Sequence, residues 1–270
     1  NPTIQANLER YYNLDEPIYV QYFTYLKRIV TFDFGPSIKK PTETVNELLE
    51  RGFPISFELG IITIVVALIS GITLGTIAAL RHNGVIDYLA MTIAVIGISV
   101  PNFILATLFI QVFAVYWGWF PAATWQSVSH MVLPTLALAT GPMAIIARLT
   151  RASMIEVLTQ DYIKMARAKG LKPWRIVVRH ALRNALMPVV TILGTMLAGI
   201  LTGTFVIEQI FGIPGMGKYF VESINNRDYP LIMGTTVFYS AFLVFSLFLV
   251  DIVYGFLDPR IKLHKKEGEA

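Results

Sequence analysis

Residues 87–148 read DYLAMTIAVI GISVPNFILA TLFIQVFAVY WGWFPAATWQ SVSHMVLPTL ALATGPMAII AR, and no charge interrupts them between Asp87 and Arg148. A water-soluble chain of this length would have to expose charged side chains, and this run has none to offer. It is long enough for two bilayer crossings of about 20 apolar residues each. A turn rich in Trp and Pro, Trp117-Gly-Trp-Phe-Pro121, separates them. The rest of the chain repeats the pattern. Leu59–Leu80 is uncharged and closes on Arg81-His82-Asn83, while Asn184–Ile207 and Tyr229–Leu257 supply two further apolar runs. The run from Asp87 to Trp117 is broken at Pro101-Asn102. Five spans follow, and with them an all-α integral membrane bundle.

Composition agrees. Of the 270 residues, 54% are hydrophobic and 15% charged, against about 25% charged in ordinary soluble domains. Mean hydropathy is +0.58 and the pI is 9.2. The net charge of +4 reads here as loop topology rather than nucleic-acid binding. With no cysteine in the chain, disulfides, thiolate metal sites and cysteine nucleophiles are excluded. No His/Asp/Glu cluster has metal-ligand spacing.

The placement of charge orients the spans. Residues 148–183 hold nine Lys/Arg against Glu156 and Asp161, whereas residues 1–57 hold six Lys/Arg against seven acids. Positive loops stay in the cytoplasm. Residues 1–57 are therefore expected outside, the loop of residues 150–184 and the 258–270 tail inside, and residues 58–257 as the bundle. Trp117, Trp119, Phe120 and Trp125 suit an outer aromatic belt. Outside, Pro17 opens a helical pattern through Tyr19, Tyr22, Phe23, Leu26, Ile29 and Val30, and Thr44-Val-Asn-Glu47 has the spacing of a capping box. An extracytoplasmic start without a leader implies one further span upstream. Gly71 with Gly75, and Gly199 with Gly203, are spaced for close helix contact.

The most informative loop runs Asp161-Tyr-Ile-Lys-Met-Ala-Arg-Ala-Lys-Gly170-Leu-Lys-Pro173-Trp, then on to Pro188. Asp161 can cap a short helix. Gly170 fits the left-handed position that ends it, and Pro173 follows as a stop. Such a helix–turn–helix, with small residues at Ala166 and Ala168 and a rim of cations, is shaped to dock into a partner. The alternative is a loop whose positive charge only fixes topology.

This segment resembles the cytoplasmic EAA loop of binding-protein-dependent ABC importer permeases. Its Tyr-Ile-x-x-Ala-Arg-Ala-Lys-Gly form is similar to the oligopeptide/dipeptide branch. Asp33-Phe-Gly-Pro-Ser37, the stretch from Glu208 to Gly217 (EQIFGIPGMG), Asn226-Arg-Asp-Tyr229 and Asp258-Pro-Arg260 resemble that branch in the same order. Lys164 and Met165 replace the general motif's Glu and Ala, and Arg183 stands where many relatives have proline. The resemblance implies a type I ABC importer permease in the bacterial inner membrane, with one more span at the start. It implies a homologous second permease, two cytoplasmic ATPases that hold the ATP and magnesium, an external substrate-binding (lipo)protein and a peptide substrate. It implies no cofactor on this chain and no catalytic residue. Asp161, Tyr162, Lys164, Ala166, Arg167, Ala168, Lys169, Gly170, Leu171 and Pro173 then form the ATPase-coupling loop. Nickel and glutathione importers share the branch.

Three other features also have plainer readings. Gly212-Ile-Pro-Gly-Met-Gly-Lys218 matches half of a phosphate-binding loop, but Tyr219 stands where Ser or Thr should hold magnesium, so a tight external turn is expected. Ser99, Pro101 and Asn102 form a polar kink that could line the pathway. No histidine is phased to activate Ser99, which disfavours an intramembrane hydrolase. Asp251, an acid deep in an apolar run, is expected to pair with Arg148 or Arg151, or to serve gating. A gradient-driven carrier is the remaining alternative, against which stands the lack of other midplane acids and of an inverted repeat.

Overall fold

The computed structural model describes residues 9–202 and 204–257, and leaves the side chains of residues 198, 201, 202, 250, 251 and 253–257 undescribed. Gly203, the tail with Asp258-Pro-Arg260, and the partner of Asp251 thus lie outside the described residues. Eleven labelled helices follow one another: α1 Ile18–Val30, α2 Val45–Leu80, α3 Val85–Ser99, α4 Asn102–Tyr116, α5 Val128–Leu158, α6 Asp161–Ala168, α7 Pro173–Ala185, α8 Met187–Thr202, α9 Phe205–Ile210, α10 Met216–Asn226 and α11 Tyr229–Leu257. The second half of α4 and the middle of α7 are wound as π-helix. Among the described residues α2, α5 and the Tyr229–Leu249 part of α11 are each long and apolar enough to cross a bilayer. Five crossings result if the broken runs Val85–Ser99 with Asn102–Tyr116, and Pro173–Ala185 with Met187–Leu197, each count as one.

Two of the expected spans have different limits. The helix containing residues 59–80 begins at Val45 and has 36 residues, about 54 Å at ~1.5 Å per residue, well beyond a core of about 30 Å. Its start is fixed by the capping box: Thr44 Oγ1 accepts from the Glu47 amide at 3.2 Å, and Glu47 Oε2 accepts from the Thr44 amide at 3.0 Å. Helical hydrogen bonding continues past the apolar limit because Glu47, Glu50 and Arg51 favour the helix as well as the water. The expected 184–207 span is instead broken: α8 starts after Leu186 and stops at Thr202, it passes the apolar-length test only together with Pro173–Ala185, and α9 is a separate turn.

The chain divides into two compact units. The first comprises residues 1–63, 101–138 and 201–241. One of its cores gathers Leu59, Leu133, Ile207, Phe211 and Ile213, and the other gathers Phe34, Val45, Leu48, Met216 and Leu231. α1 has the opposite arrangement to a helix on a soluble core: Gln21 and Arg28 turn inward, bonding to the backbone of residues 11–16, and Ile18, Phe23 and Val30 are exposed.

The second unit comprises residues 64–100, 139–200 and 242–270. Gly71 and Gly75 let α2 touch α5: a Cβ on Gly71 would lie 2.8 Å from Ile146 Cβ, and one on Gly75 would overlap the Ala147 carbonyl. The close approach expected of this pair is present. Gly97 does the same for α3 against Thr140 of α5, a contact that no spacing signalled. Gly199, expected to pack likewise, has no atom of another element within 4 Å of its Cβ position among the described residues. Ile69 and Leu89 point outward, as a lipid-facing surface allows.

Candidate functional site

The coupling segment lies within the second unit. α6 covers Asp161–Ala168, and its N-cap is Gln160, not Asp161. Asp161 sits in the first turn, where its charge suits the helix dipole, and bonds Lys164 at 2.9 Å on the exposed face. The difference has a simple origin: Gln160 already has the extended backbone that a cap requires, so the helix begins one residue earlier than an Asp161 cap would set it.

The end of α6 is as the sequence places it. Gly170 has φ +72°. The Gly170 amide bonds the Arg167 carbonyl at 2.9 Å, and the Leu171 amide reaches back to Ala166 at 3.3 Å. These two bonds make a Schellman motif, and Leu171 packs against the apolar cluster that includes Ala166, as that motif favours. Pro173 serves as the first residue of α7, where its missing amide costs nothing.

Ile163 and Ala166 are buried in a core with Ala79, Met154, Ile176, Ala181 and Ala185. Tyr162, Lys164, Met165, Arg167, Ala168 and Lys169 are exposed. Ala166 therefore anchors the helix to its own chain, while Ala168 is on the free surface, so the two alanines do not share a face. Asn184 of α7 donates to Tyr162 Oη at 2.8 Å and ties the two helices together. The result is a short helix fixed on one side and open on the other.

Ser99 ends α3 and is exposed, Pro101 is the exposed N-cap of α4, and half-buried Asn102 starts it. Arg151, one expected partner of Asp251, bonds Asp87 among the described residues. Its Nε and a terminal nitrogen meet the two oxygens of buried Asp87 at 2.5 and 2.7 Å. His82 Nδ1 stands 3.4 Å from the same carboxylate, and the Asn83 amide donates to it at 3.0 Å. The sequence carries only a loose signal for this pair: Asp87 opens the longest uncharged run, and Arg151 lies three residues beyond Arg148, which closes it. A bidentate guanidinium, itself half-buried, keeps the buried Asp87 charge from standing alone.

The stretch from Glu208 to Gly217 belongs to the first unit, and its chemistry is internal. Glu208 is fully buried. Oε1 accepts from Ser56 Oγ at 2.6 Å and Thr204 Oγ1 at 2.5 Å, and Oε2 from the Gly217 amide at 2.7 Å. Ser56 Oγ in turn accepts from the Met216 amide at 2.9 Å. Burial raises the Glu208 carboxyl above its ordinary value, and the hydrogen bonds offset only part of that. The Gly217 amide, which a phosphate loop would present to a ligand, is thus spent on Glu208, and the tight-turn reading describes what is present. Nearby, Asp228 receives Ser37 Oγ and the amides of Ile38 and Lys39, the latter two at 3.2 Å. The 33–37 and 226–229 motifs are therefore two sides of one contact, which the sequence could present only as separate matches.

Comparison with known proteins bears on the whole chain. The family described as binding-protein-dependent transport system inner membrane component matches residues 71–263. The dipeptide transport system permease protein DppB of Bacillus subtilis (strain 168) is 72% identical over 266 residues, 98% of this chain and 86% of the relative. The oligopeptide transport system permease protein OppB of Escherichia coli (strain K12) is 43% identical over 263 residues, 97% of this chain and 86% of that one. Among solved structures, an inward-facing MetNI methionine ABC transporter chain superposes with TM-score 0.63 at 19% identity, covering 76% of this chain and 94% of that one. At that identity the likeness concerns the fold.

Proposed function

The chain belongs to the family of binding-protein-dependent transport system inner membrane components, and from that premise we propose that it is the membrane-spanning permease of an ATP-driven importer of dipeptides and oligopeptides. The observation that carries the reading is likeness to dipeptide and oligopeptide permeases over nearly the whole chain. α6 is its mechanical counterpart, a helix with one buried and one open face.

In this reading α6 seats its exposed face, with Tyr162, Met165, Arg167 and Lys169, in a groove of a cytoplasmic ATPase. Ile163 and Ala166 then pass the motion of that ATPase into the core formed with Met154 and Ala181. A homologous second permease completes the pathway, a second ATPase serves it, and an external binding protein delivers the peptide. ATP and magnesium belong to the ATPases. Residues 1–57 lie outside and the C-terminus inside, as the distribution of Lys and Arg requires. Ser99, Pro101 and Asn102, at a helix break, are the candidates for lining the pathway.

Purification through a tag on the intact protein tests the assembly. Two ATPases and a second permease should accompany it, and its ATPase activity should rise with the binding protein and a peptide, more than with nickel or glutathione. A chain that purifies alone contradicts the reading. Stimulation by nickel or glutathione only would keep the machine and change its cargo.

A further inference from the structure

The described surface holds a second cationic feature, separate from the exposed face of α6. Trp174, Arg175, Val178, Arg179 and Arg183 line one open cleft on α7. None of the three guanidinium groups forms an ion pair or a hydrogen bond among the described residues. Trp174 and Val178, large apolar side chains beside those charges, are 64% and 57% exposed. The helix that carries them continues through Leu186 into α8 with a bend of 54°. The cleft is therefore close to the end of an apolar run that enters the bilayer, where lipid headgroups lie.

We propose that this cleft binds the phosphate of an anionic phospholipid, with Arg175, Arg179 and Arg183 around the headgroup and Trp174 and Val178 against the upper acyl chains. Guanidinium groups match phosphate oxygens in a bidentate manner. Tryptophan beside arginine suits the headgroup boundary, where one side of the ring is wet and the other is apolar. A water-exposed surface gives Trp174 and Val178 no reason to face outward, and a free phosphate ion would use the arginines but not the apolar pair. An acidic groove on a protein partner is the rival source of negative charge.

The test uses the assembled transporter, purified through this chain, and native mass spectrometry with added phosphatidylglycerol or phosphatidylcholine at matched concentrations. Wild type should retain phosphatidylglycerol selectively. Arg175→Gln/Arg179→Gln/Arg183→Gln should weaken that binding roughly 100-fold, about fivefold per arginine removed near a membrane surface. Phosphatidylcholine binding and the number of attached ATPases should not change. The corresponding triple lysine variant should keep most of the selectivity. Should the glutamine variant fail to assemble, Arg179→Gln alone must show the fivefold loss, and Trp174→Ala a further weakening. Unselective wild-type binding, unchanged phosphatidylglycerol binding in the variants, or competition by millimolar inorganic phosphate would overturn the proposal. So would loss of the ATPases with lipid binding intact, which would assign the arginines to a protein partner.

Discussion

Ser56 Oγ donates to Glu208 Oε1 at 2.6 Å across 152 residues of sequence, and the same Ser56 oxygen receives the Met216 amide at 2.9 Å. One hydroxyl thus ties α2, α9 and the start of α10 within a single unit. Glu208→Ala would leave the Ser56, Thr204 and Gly217 donors unmatched, at a cost of about 2–4 kcal/mol. Glu208→Gln should cost less than about 1 kcal/mol, because an amide can present its oxygen to Gly217 while both hydroxyls rotate to accept. Gly215→Ala should resemble the alanine variant, since its Cβ would overlap Glu208 Oε2 and lie 2.5 Å from Ser56 Oγ. Thermal unfolding of the purified complex ranks the three, and equal losses for Gln and Ala would refute the assignment.

The same carboxyl makes stability depend on pH. Its folded value lies above the ordinary 4.5, so the folded chain holds the proton more tightly than the unfolded one. Stability at this site is then greatest below about 4.5, falls as pH rises, and levels off once pH exceeds the folded value. Subtracting the pH profile of Glu208→Gln from that of wild type should isolate this downward slope. A difference that rises with pH would show that the donors, not burial, control the group.

Arg151 and Asp87 should behave as a coupled pair. Arg151→Met strands a buried carboxylate and should cost about 3 kcal/mol. Adding Asp87→Asn to it should restore a good part of that loss. Unfolding midpoints of both single variants and the double variant give the coupling, and strictly additive losses would mean that the two side chains do not depend on each other.

Legibility in the sequence followed the range of the interactions. α5 and α11 were plain because a bilayer demands apolar length, and length is written in consecutive residues. The Thr44–Glu47 box and the Gly170 turn were equally plain, since each closes within six residues. What α2 did beyond its apolar part was hidden, because hydropathy marks where lipid ends and not where helical hydrogen bonding ends. Glu208 read as one more loop charge and Asp87 as the edge of a span, since their partners, Ser56 and Arg151, are brought to them only by the packing of distant helices. The α6 cap falls one residue before Asp161 because Gln160, a weak capping residue, takes the cap through its backbone alone. The roles of the α6 surface come from family likeness, as the bonds its exposed side chains make, Lys164 to Asp161 and Asn184 to Tyr162, are local and reveal no docking partner.

Gly170 permits a test of how α6 is held. Its φ of +72° sits in open space, with nothing among the described residues within 4 Å of a Cβ beyond its chain neighbours, so the penalty for substitution is in the backbone and not in a clash. Gly170→Asn, which tolerates the left-handed region, should leave coupling nearly intact, while β-branched Gly170→Val should cost about 1–2 kcal/mol and disturb the turn. In the assembled transporter the valine variant should hydrolyse ATP with little peptide uptake. Normal uptake by that variant would show that the turn does not position α6.

The claim that this chain is the permease of an ATP-driven peptide importer is tested most directly by uptake of a labelled dipeptide into proteoliposomes. These would hold the complex purified through the intact protein, with its binding protein outside and ATP sealed inside. The account predicts uptake that requires ATP and the binding protein, and that persists when ionophores collapse every ion gradient. Uptake that follows an imposed ion gradient without ATP would contradict it.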